Sequence, residues 1–510
     1  MNYSSPLEKI KTIDELAKIV ASLKSKGKKI VHCHGTFDLL HPGHYRYFEA
    51  AKKAGDVLIV TVTADEFVRK GPGRPIYTDA LRAEFIAALG CVDYVAIDPN
   101  LTAVQAIHKL KPDIYAKGIE YAKHSNDISG AISLEEKTVK AAGGRMHYTN
   151  EITFSSSSLL NTHFDIYSPD LKKILERLRR LYRGEEVIAQ MRRLKDLRVL
   201  VVGDAVIDRY IYSVALGRPS KAMVLAVKSE GSEDFAGGAL AAANHIAGFC
   251  NEVALVTCLG KEVAYDEFIR AHLKENIRPF FFYRSDAPTT LKKRYVTQAY
   301  LQKLFEEYIF TEQPISQELT QKIGAKLKGL LPRYDVVLAL DYGHGFLNQT
   351  LINILLSKAK FLAVNAQTNS ANTGFNLITK YKGADYACLD DIEIRLALKD
   401  KYAGAETLIA KLATTMRTKK IIVTLGHQGS LASFNGKIFR CPAFSERPID
   451  AVGAGDAYIA ITTPCVAAGF PMDLVSIIGN AAGAIAIKIV GNRSSVEPVD
   501  LFKSLTTILK

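Results

Sequence analysis

The stretch that most restricts the fold of this chain is Lys29-Ile-Val-His-Cys-His34-Gly35-Thr36-Phe37-Asp38-Leu-Leu-His41-Pro42-Gly43-His44. Its apolar run Ile30–Cys33 reads as a buried strand and Gly35 as a tight turn. Pro42 reads as the first residue of a helix, because the N–H that proline lacks has no partner in a first turn anyway. The helix continues from Tyr45 to Ala54, and Asp56-Val-Leu-Ile-Val-Thr-Val-Thr63 supplies a second apolar strand. Strand, helix and strand at this spacing form a βαβ unit, so the sheet is parallel and both its faces are covered. Ligands of such sheets bind beyond the carboxyl ends of the strands, where residues 34–44 fall. His41 and His44 share one face of the helix opening, and Gly43 between them lets a ligand come close to the backbone. Free N–H groups and two imidazoles at a helix N-terminus make an anion site, with phosphate the expected anion. The His-x-x-His spacing alone would suit surface histidines or half a zinc site equally well.

With its strand, turn, Asp38 and Pro42 in place, the run resembles the His-x-Gly-His signature of the nucleotidylyltransferase superfamily. The resemblance implies that Gly35, Thr36, Phe37, His41 and His44 meet the nucleotide, and that Asp38 meets the other substrate. Lys52, in Ala-Lys-Lys-Ala-Gly-Asp, takes the position of a basic residue that faces the nucleotide phosphates in relatives. Arg74-Pro75 with Arg82 resembles the arginine-bearing segment after the second strand. Lys117-Gly118-Ile119-Glu120-Tyr121 resembles the Lys-Gly-x-Asp-Tyr segment of the heptose-phosphate enzymes, which implies a substrate contact at Lys117 and Gly118. Phe154-Ser155-Ser156-Ser157-Ser158 resembles their Ser-Thr-Thr helix start, whose hydroxyls hold phosphate. Each of these has a plainer reading: Lys52 on a solvated face, Arg82 in a surface ion pair, Ser155 as a helix cap. The implied chemistry is in-line attack of a phosphate oxygen on the α-phosphorus of ATP or CTP. Catalysis then lies in positioning and charge stabilisation, with Mg²⁺, His41, His44 and Lys52 as the stabilising groups.

A second α/β domain starts at Arg198-Val-Leu-Val-Val-Gly203-Asp204, and apolar strands at Val336–Leu340, Phe361–Val364 and Ile421–Thr424 alternate with helices. Tyr210-Ile-Tyr212 and Met223–Lys228 read as short strands of a small β lid. In Asp450-Ala-Val-Gly453-Ala454-Gly455-Asp456 two glycines before a helix let consecutive N–H groups point at one anion. Asp456 at that helix start is placed to take a proton from a substrate hydroxyl, although an N-terminal aspartate also simply complements a helix dipole. No Gly-x-x-x-x-Gly-Lys-Ser/Thr occurs, which excludes a Walker-type kinase.

The Gly-Ala-Gly-Asp run resembles the signature of ribokinase-type sugar kinases, and the resemblance covers residues 198–510. It implies Asp456 as catalytic base, an anion hole at Gly453, Ala454 and Gly455, and a nucleotide-side loop at Thr424, Gly426 and Gly429. Asp204, Asp208, Gly237, Gly238 and Asn244 fall where these kinases grip the sugar. Glu393, in Asp390-Asp391-Ile392-Glu393, stands in a motif linked to Mg²⁺, with Asp for the usual Asn. Asn365-Ala366-Gln367 stands where relatives often have Asp-Pro-Lys.

The expected organisation is α/β in two domains: a Rossmann-like nucleotidylyltransferase over 1–163, a basic helical linker over 164–197, and a ribokinase-like domain with a β lid over 198–510. This pairing resembles the bifunctional enzymes of ADP-heptose synthesis with the domain order reversed. It implies phosphorylation of a sugar phosphate such as heptose 7-phosphate at O1, and nucleotidyl transfer from ATP or CTP to a sugar 1-phosphate. A cytidylyltransferase fused to a kinase for a polyol or other phosphate is the alternative in the same class. A nucleotide-binding scaffold with a decayed kinase half is the alternative from another.

Whole-chain properties agree with phosphate chemistry. The net charge of +13 over 510 residues suits anionic substrates, and no basic run interleaved with aromatics suggests a nucleic-acid groove. Seven scattered cysteines without a Cys-x-x-Cys pair point to a reducing compartment and the cytoplasm. No segment reads as a membrane span. A nucleoside triphosphate and a sugar phosphate are the expected partners, with a homodimer as the expected assembly.

Overall fold

The structure, a computed structural model, describes residues 5–68, 74–122, 130–149, 169–221, 223–298, 301–444 and 448–509. The chain divides into two compact units, Met1–Ser168 with Phe502–Lys510, and Pro169–Leu501.

The first unit is built on a parallel sheet of β1 (Ile30–Gly35), β2 (Val57–Thr63), β3 (Tyr94–Asp98), β4 (Ile114–Gly118) and β5 (Arg145–Thr149), in the order β3-β2-β1-β4-β5. Every residue of β2 is buried, because side chains that alternate across the sheet meet helices on both faces. Leu58, Val60 and Val62 pack with Phe48, Ala83 and Ile86 on one face, and Val57 and Ile59 with Leu16 and Val20 on the other. Each such Val, Leu, Ile or Phe side chain contributes about 1.5–3 kcal/mol when removed from water. The leading helix, Ile13–Ser25, starts at a Thr12–Glu15 capping box, in which side chain and backbone satisfy each other's first-turn donors.

The main sheet of the second unit has nine strands among the described residues: β6 (Arg198–Gly203), β9 (Glu252–Gly260), β10 (Ile277–Arg284), β13 (Val336–Asp341), β14 (Leu362–Ala366), β15 (Tyr386–Asp390), β16 (Lys420–Thr424), β17 (Ser430–Phe434) and β18 (Lys437–Cys441). Their order is β10-β9-β6-β13-β14-β15-β16-β17-β18, parallel up to β16 and antiparallel after it. One face packs Leu200, Val202, Val337 and Val364 against Ile323, Leu327, Leu351 and Leu355. The helix Ala454–Ala467 is buried from Asp456 to Val466, as an element apolar on all sides must be.

A lid of four strands accompanies this sheet: β7 (Ala205–Gly217), β8 (Ala226–Gly238), β11 (Thr290–Thr297) and β12 (Lys303–Ile309), in the order β12-β11-β7-β8. The lid strands are longer than the sequence pieces suggested. Met223, Val224 and Leu225 lie before β8 and are exposed, a correction to their reading as strand.

The segment expected as a linker is helical at Pro169–Leu181 and Gly184–Arg192 and falls in the second unit. Leu171, Leu175 and Leu178 are buried, and the Tyr182 hydroxyl donates to Asp473 at 2.9 Å. Packing of the apolar stripe thus draws these helices into the fold.

Candidate active sites

In the first unit the carboxyl ends of β1, β2, β3 and β4 bring together His34, Thr63, Asp98 and Lys117. The helix Pro42–Lys53 opens beside them with His41 as its N-cap. The Nδ1 atom of His41 accepts the Gly43 N–H at 3.1 Å, so a neutral His41 carries its proton on Nε2. The His41 and His44 rings stack, with centroids 3.9 Å apart and planes 20° from parallel. Two imidazoles held in register at a helix N-terminus can meet adjacent phosphate oxygens.

Gly35 and Phe37 support this pair from below. The Phe37 ring lies edge-on to His44 at 5.4 Å and is buried, with the backbone in the left-handed region at φ 48°. A Cβ on Gly35 would come within 2.9 Å of that ring, so glycine is needed there for packing. Phe37 is placed to orient His44. Thr36 enters the described contacts through its carbonyl, which accepts from Arg82.

Three expected ligands have other duties here. Lys52 lies at the far end of the Pro42–Lys53 helix, about 16 Å along the axis from His41 at 1.5 Å per residue. Its ammonium bonds Asp93 at 2.5 Å and the Asp56 carbonyl at 2.6 Å, at the amino end of β2. That corrects its expected place beside the phosphates: eleven residues of helix carry it to the wrong edge of the sheet. The buried Arg82 guanidinium donates to the carbonyls of Thr36, Thr63 and Tyr77 and to Asp65. It ties the β1 loop to the end of β2, which replaces the expected phosphate contact. Asp38 is buried, paired with Arg74 at 2.9 Å and accepting the Ile76 N–H at 2.6 Å, so it fixes the 74–76 segment instead of facing a substrate.

Lys117 stays at the site edge. Its ammonium reaches the His34 carbonyl at 3.3 Å and Glu135 at 3.3 Å, and Gly118 ends the same strand. Burial pulls the Lys117 ammonium down, but Glu135 and Tyr121 outweigh it and hold the group above its usual range. Ser155, Ser156 and Ser157 lie outside the described residues.

The sequence reading passed over His34 and Asp98. His34 Nδ1 bonds Thr61 at 2.8 Å and lies 3.8 Å from Asp98, and burial lowers its pKa to about 3. Burial raises Asp98 to about 6. Their position at strand ends was the available signal.

In the second unit a cleft forms at the carboxyl ends of β6, β13, β14, β15 and β16, where Asp204, Asp341, Gln367, Asp390 and Thr424 gather. The helix Ala454–Ala467 begins there, with Gly453 as its N-cap at φ 82°. A Cβ on Gly453 would come within 2.3 Å of Asn492, so glycine is required for both conformation and space. Ala454 and Gly455 complete the first turn, and a Cβ on Gly455 would meet nothing, which leaves the backbone open to a ligand.

Asp456 follows in that turn and is buried. Its Oδ1 accepts from the Tyr342 hydroxyl at 2.7 Å and the Gln367 amide at 2.8 Å. Among the described residues none donates to Oδ2, the oxygen left for a proton. Burial raises the carboxyl to about 6, against the Tyr342 hydrogen bond and with the Asp208 charge. A base with that pKa is ionised at neutral pH and still able to accept a proton.

Asp204 accepts the Tyr342 N–H at 2.9 Å, and burial together with Asp341 pushes it up to about 7. Asp208 pairs with Arg294 at 2.9 Å. Gly237 packs against Asp208, where a Cβ would come within 2.3 Å of its carboxylate, and Gly238, at φ 59°, turns the chain beside the Asp204 carbonyl. Asn244 does not join them: its amide donates to the His272 carbonyl at 2.7 Å and its oxygen accepts the Lys274 N–H at 3.0 Å. The helix Ala239–Ala247 carries it away from the Gly237–Gly238 turn to brace that loop, a correction to its expected sugar contact. Gly426 and Gly429, at φ 58° and 93°, shape the turn after Thr424.

Glu393 sits in a capping box with Asp390 and is buried. Its oxygens accept the Asp390 N–H at 2.8 Å and the Thr368 N–H at 3.0 Å. Burial and the Asp390 charge raise its pKa. Each oxygen keeps a second lone pair, so Glu393 fits Mg²⁺ through metal-bound water as well as by direct ligation. Among the described residues no group of three His, Cys, Asp or Glu side chains forms a metal cluster. Next to Asp456 lies a cavity of about 410 Å³ lined by Lys292, Tyr308, Tyr342, Gln367, Asn369 and Asp390, among others. Tyr342, Gln367 and Lys292 went unassigned in the sequence, although the first two directly follow strands.

A family model described as pfkB family carbohydrate kinase matches residues 196–498, more than half of the chain. The chain belongs to the pfkB family of carbohydrate kinases. A cytidylyltransferase-like model matches residues 32–162, so this pfkB-family protein carries a cytidylyltransferase-like domain ahead of its pfkB domain. Proteins named Bifunctional protein HldE are similar in the N-terminal region. That of Citrifermentans bemidjiense is 40% identical over 152 residues, 29% of this chain and 30% of that protein. That of Geobacter metallireducens is 42% identical over 146 residues, 28% of each chain. The alignments therefore span less than a third of these relatives. Among solved structures, a ribokinase of Thermotoga maritima is 20% identical with a TM-score of 0.48, covering 61% of this chain and 99% of its own. Phosphofructokinase-2 of Escherichia coli is 13% identical with a TM-score of 0.48, covering 62% and 100%. No helix among the described residues is long and apolar enough to cross a membrane.

Proposed function

We propose that this protein is a bifunctional enzyme of sugar-nucleotide synthesis, with nucleotidyl transfer assigned to residues 1–163 and phosphorylation to 198–510. One observation carries the reading: the parallel strands of each main sheet end at a helix N-terminus bearing the side chains its chemistry needs, His41 with His44 in one and Asp456 in the other. In phosphorylation, Asp456 Oδ2 takes the acceptor hydroxyl proton as the acceptor oxygen bonds the γ-phosphorus and ADP departs. The N–H groups of the 453–455 turn receive the charge. In nucleotidyl transfer, a sugar 1-phosphate oxygen bonds the α-phosphorus of ATP or CTP and pyrophosphate leaves, while His41 and His44 meet the phosphate oxygens. When bound, Mg²⁺ would neutralise further charge in both reactions, and Asp390 and Glu393 are the residues that would hold it in the kinase domain.

The resemblance of Lys117–Tyr121 to the heptose-phosphate enzymes, with the HldE relatives in the same N-terminal region, supports a heptose phosphate as the first acceptor to try, with ATP for nucleotidyl transfer. The cytidylyltransferase-like match supports CTP and a polyol phosphate as the second. Gln367 and the diverted Asn244 favour the other reading, a scaffold with a decayed kinase half; the ordered Asp456 site weighs against it. Seven free cysteines support a cytoplasmic setting. The exposed lid tip at Val214, Leu216 and Met223–Leu225 supports a homodimer. The test is a mass-spectrometric screen of ATP and CTP against sugar and polyol phosphates. Phosphorylated acceptor and a nucleotide sugar are the expected products; nucleotide binding without either product would instead establish the scaffold.

A further inference from the structure

Strand β11 carries Lys292, Lys293 and Arg294, and their partners differ. Lys293 pairs with Glu307 at 2.9 Å, and Arg294 with Asp208 at 2.9 Å and with Glu306. Lys292 has no ion pair among the described residues. Its ammonium lies over the rings of Tyr308 and Tyr342, 5.5 and 5.9 Å from their centroids. Asp208, Asp456 and Glu306 act on this half-buried ammonium from a distance without a direct ion pair, so its N–H groups remain available to an anion that enters the cavity.

Its position gives that anion an identity. The cavity of about 410 Å³ is lined by Lys292, Tyr308, Tyr342, Gln367, Asn369 and Asp390, among others, and Lys292 is the one cation among its described lining residues. The segment that follows β14 brings amides and hydroxyls but no charge, and the Gln367 amide is spent on Asp456. Tyr342 links the two sides: its ring faces the Lys292 ammonium and its hydroxyl donates to the Asp456 carboxylate. A group in transit from a nucleotide to a hydroxyl beside Asp456 must gather negative charge within this cavity.

We propose that Lys292 of the lid is the cation that contacts the transferred phosphoryl group. The inference rests on the kinase reading of this site and adds to it the residue that neutralises the moving charge. As the acceptor oxygen bonds the γ-phosphorus and the bond to the ADP oxygen breaks, the acceptor proton passes to Asp456. The Lys292 ammonium then donates to an equatorial phosphoryl oxygen. Because Lys292 is on the lid while Asp456 is on the main sheet's helix, the charge is neutralised only when both meet the same group.

The test compares calorimetric binding of ADP with that of ADP plus aluminium fluoride, a mimic of the phosphoryl group in transfer, both with Mg²⁺. In Lys292→Met, affinity for the mimic should fall by roughly 10- to 100-fold, as loss of a charge-assisted hydrogen bond does. ADP affinity should stay within about twofold, and Lys292→Arg should recover part of the loss because it keeps the charge. Equal mimic affinity in wild type and Lys292→Met overturns the proposal, as does a matching loss for ADP. Should the methionine variant fail to fold, Lys292→Gln carries the same expectations. A wild-type protein that binds neither ligand removes the kinase reading itself, and the role of Lys292 with it.

Discussion

Replacing Asp456 by Asn separates what this residue does for the reaction from what it costs the fold. Burial lifts the Asp456 carboxyl from 3.8 to about 6, and the hydrogen bonds from Tyr342 and Gln367 only partly oppose the shift. The folded protein therefore holds this proton more tightly than the unfolded chain. Stability attributable to the group is highest below the unfolded value and declines as pH rises through the folded one. The difference of about two units corresponds to a ceiling of about 3 kcal/mol at neutral pH. An asparagine keeps the oxygen that accepts from Tyr342 and Gln367 but has no charge to desolvate. Asp456→Asn should thus match wild type near pH 4 and be more stable by about 1–3 kcal/mol near pH 7.5. Calorimetric melting of the full chain across this range is the assay, with the gain expected in the transition of the second unit. Phosphoryl transfer should fall by about 10²–10⁴-fold, the usual worth of a general base, and wild-type turnover should decline as pH drops below about 6. A variant less stable than wild type at neutral pH, or a difference independent of pH, would refute the burial argument.

Other substitutions probe the first unit. His41→Ala or His44→Ala should lower nucleotidyl transfer by about 10²–10³-fold and leave phosphorylation unchanged; full transfer in both would move the site elsewhere. Lys52→Met should keep transfer within about threefold and cost at most about 1 kcal/mol, because its pair with Asp93 is partly solvated. A loss as large as that of the histidine variants would return Lys52 to the phosphates. Arg82→Met should destabilise the first unit by about 3–5 kcal/mol in denaturant titrations, since it strands Asp65 and the carbonyls that Arg82 binds. A milder effect with selective loss of nucleotide binding would make Arg82 a ligand after all.

Local pattern made the fold class legible. The strand, glycine turn and proline-opened helix of residues 30–53 could only build a covered parallel unit, and the Gly453–Asp456 run could only open a helix toward an anion. Both motifs are contiguous, so backbone geometry alone places His41 beside His44 and Asp456 after Gly453. Residues set by longer-range geometry were another matter. Lys52 reads like a phosphate ligand until the length of its helix delivers it to Asp93. Arg82, Asp38 and Asn244 carry suitable donors and acceptors, yet buried polar groups must be satisfied, and carbonyls and N–H groups from distant segments claim them first. Tyr342, Gln367 and Lys292 come from segments separated by up to 75 positions, and no spacing along the chain announces their meeting at Asp456. Sequence by itself determined the two α/β layers and the helix termini that face their ligands, because these follow from local periodicity and backbone sterics. Only the tertiary structure decided which polar side chains remain available for chemistry, because that depends on which partners the packing of distant strands brings within hydrogen-bonding reach.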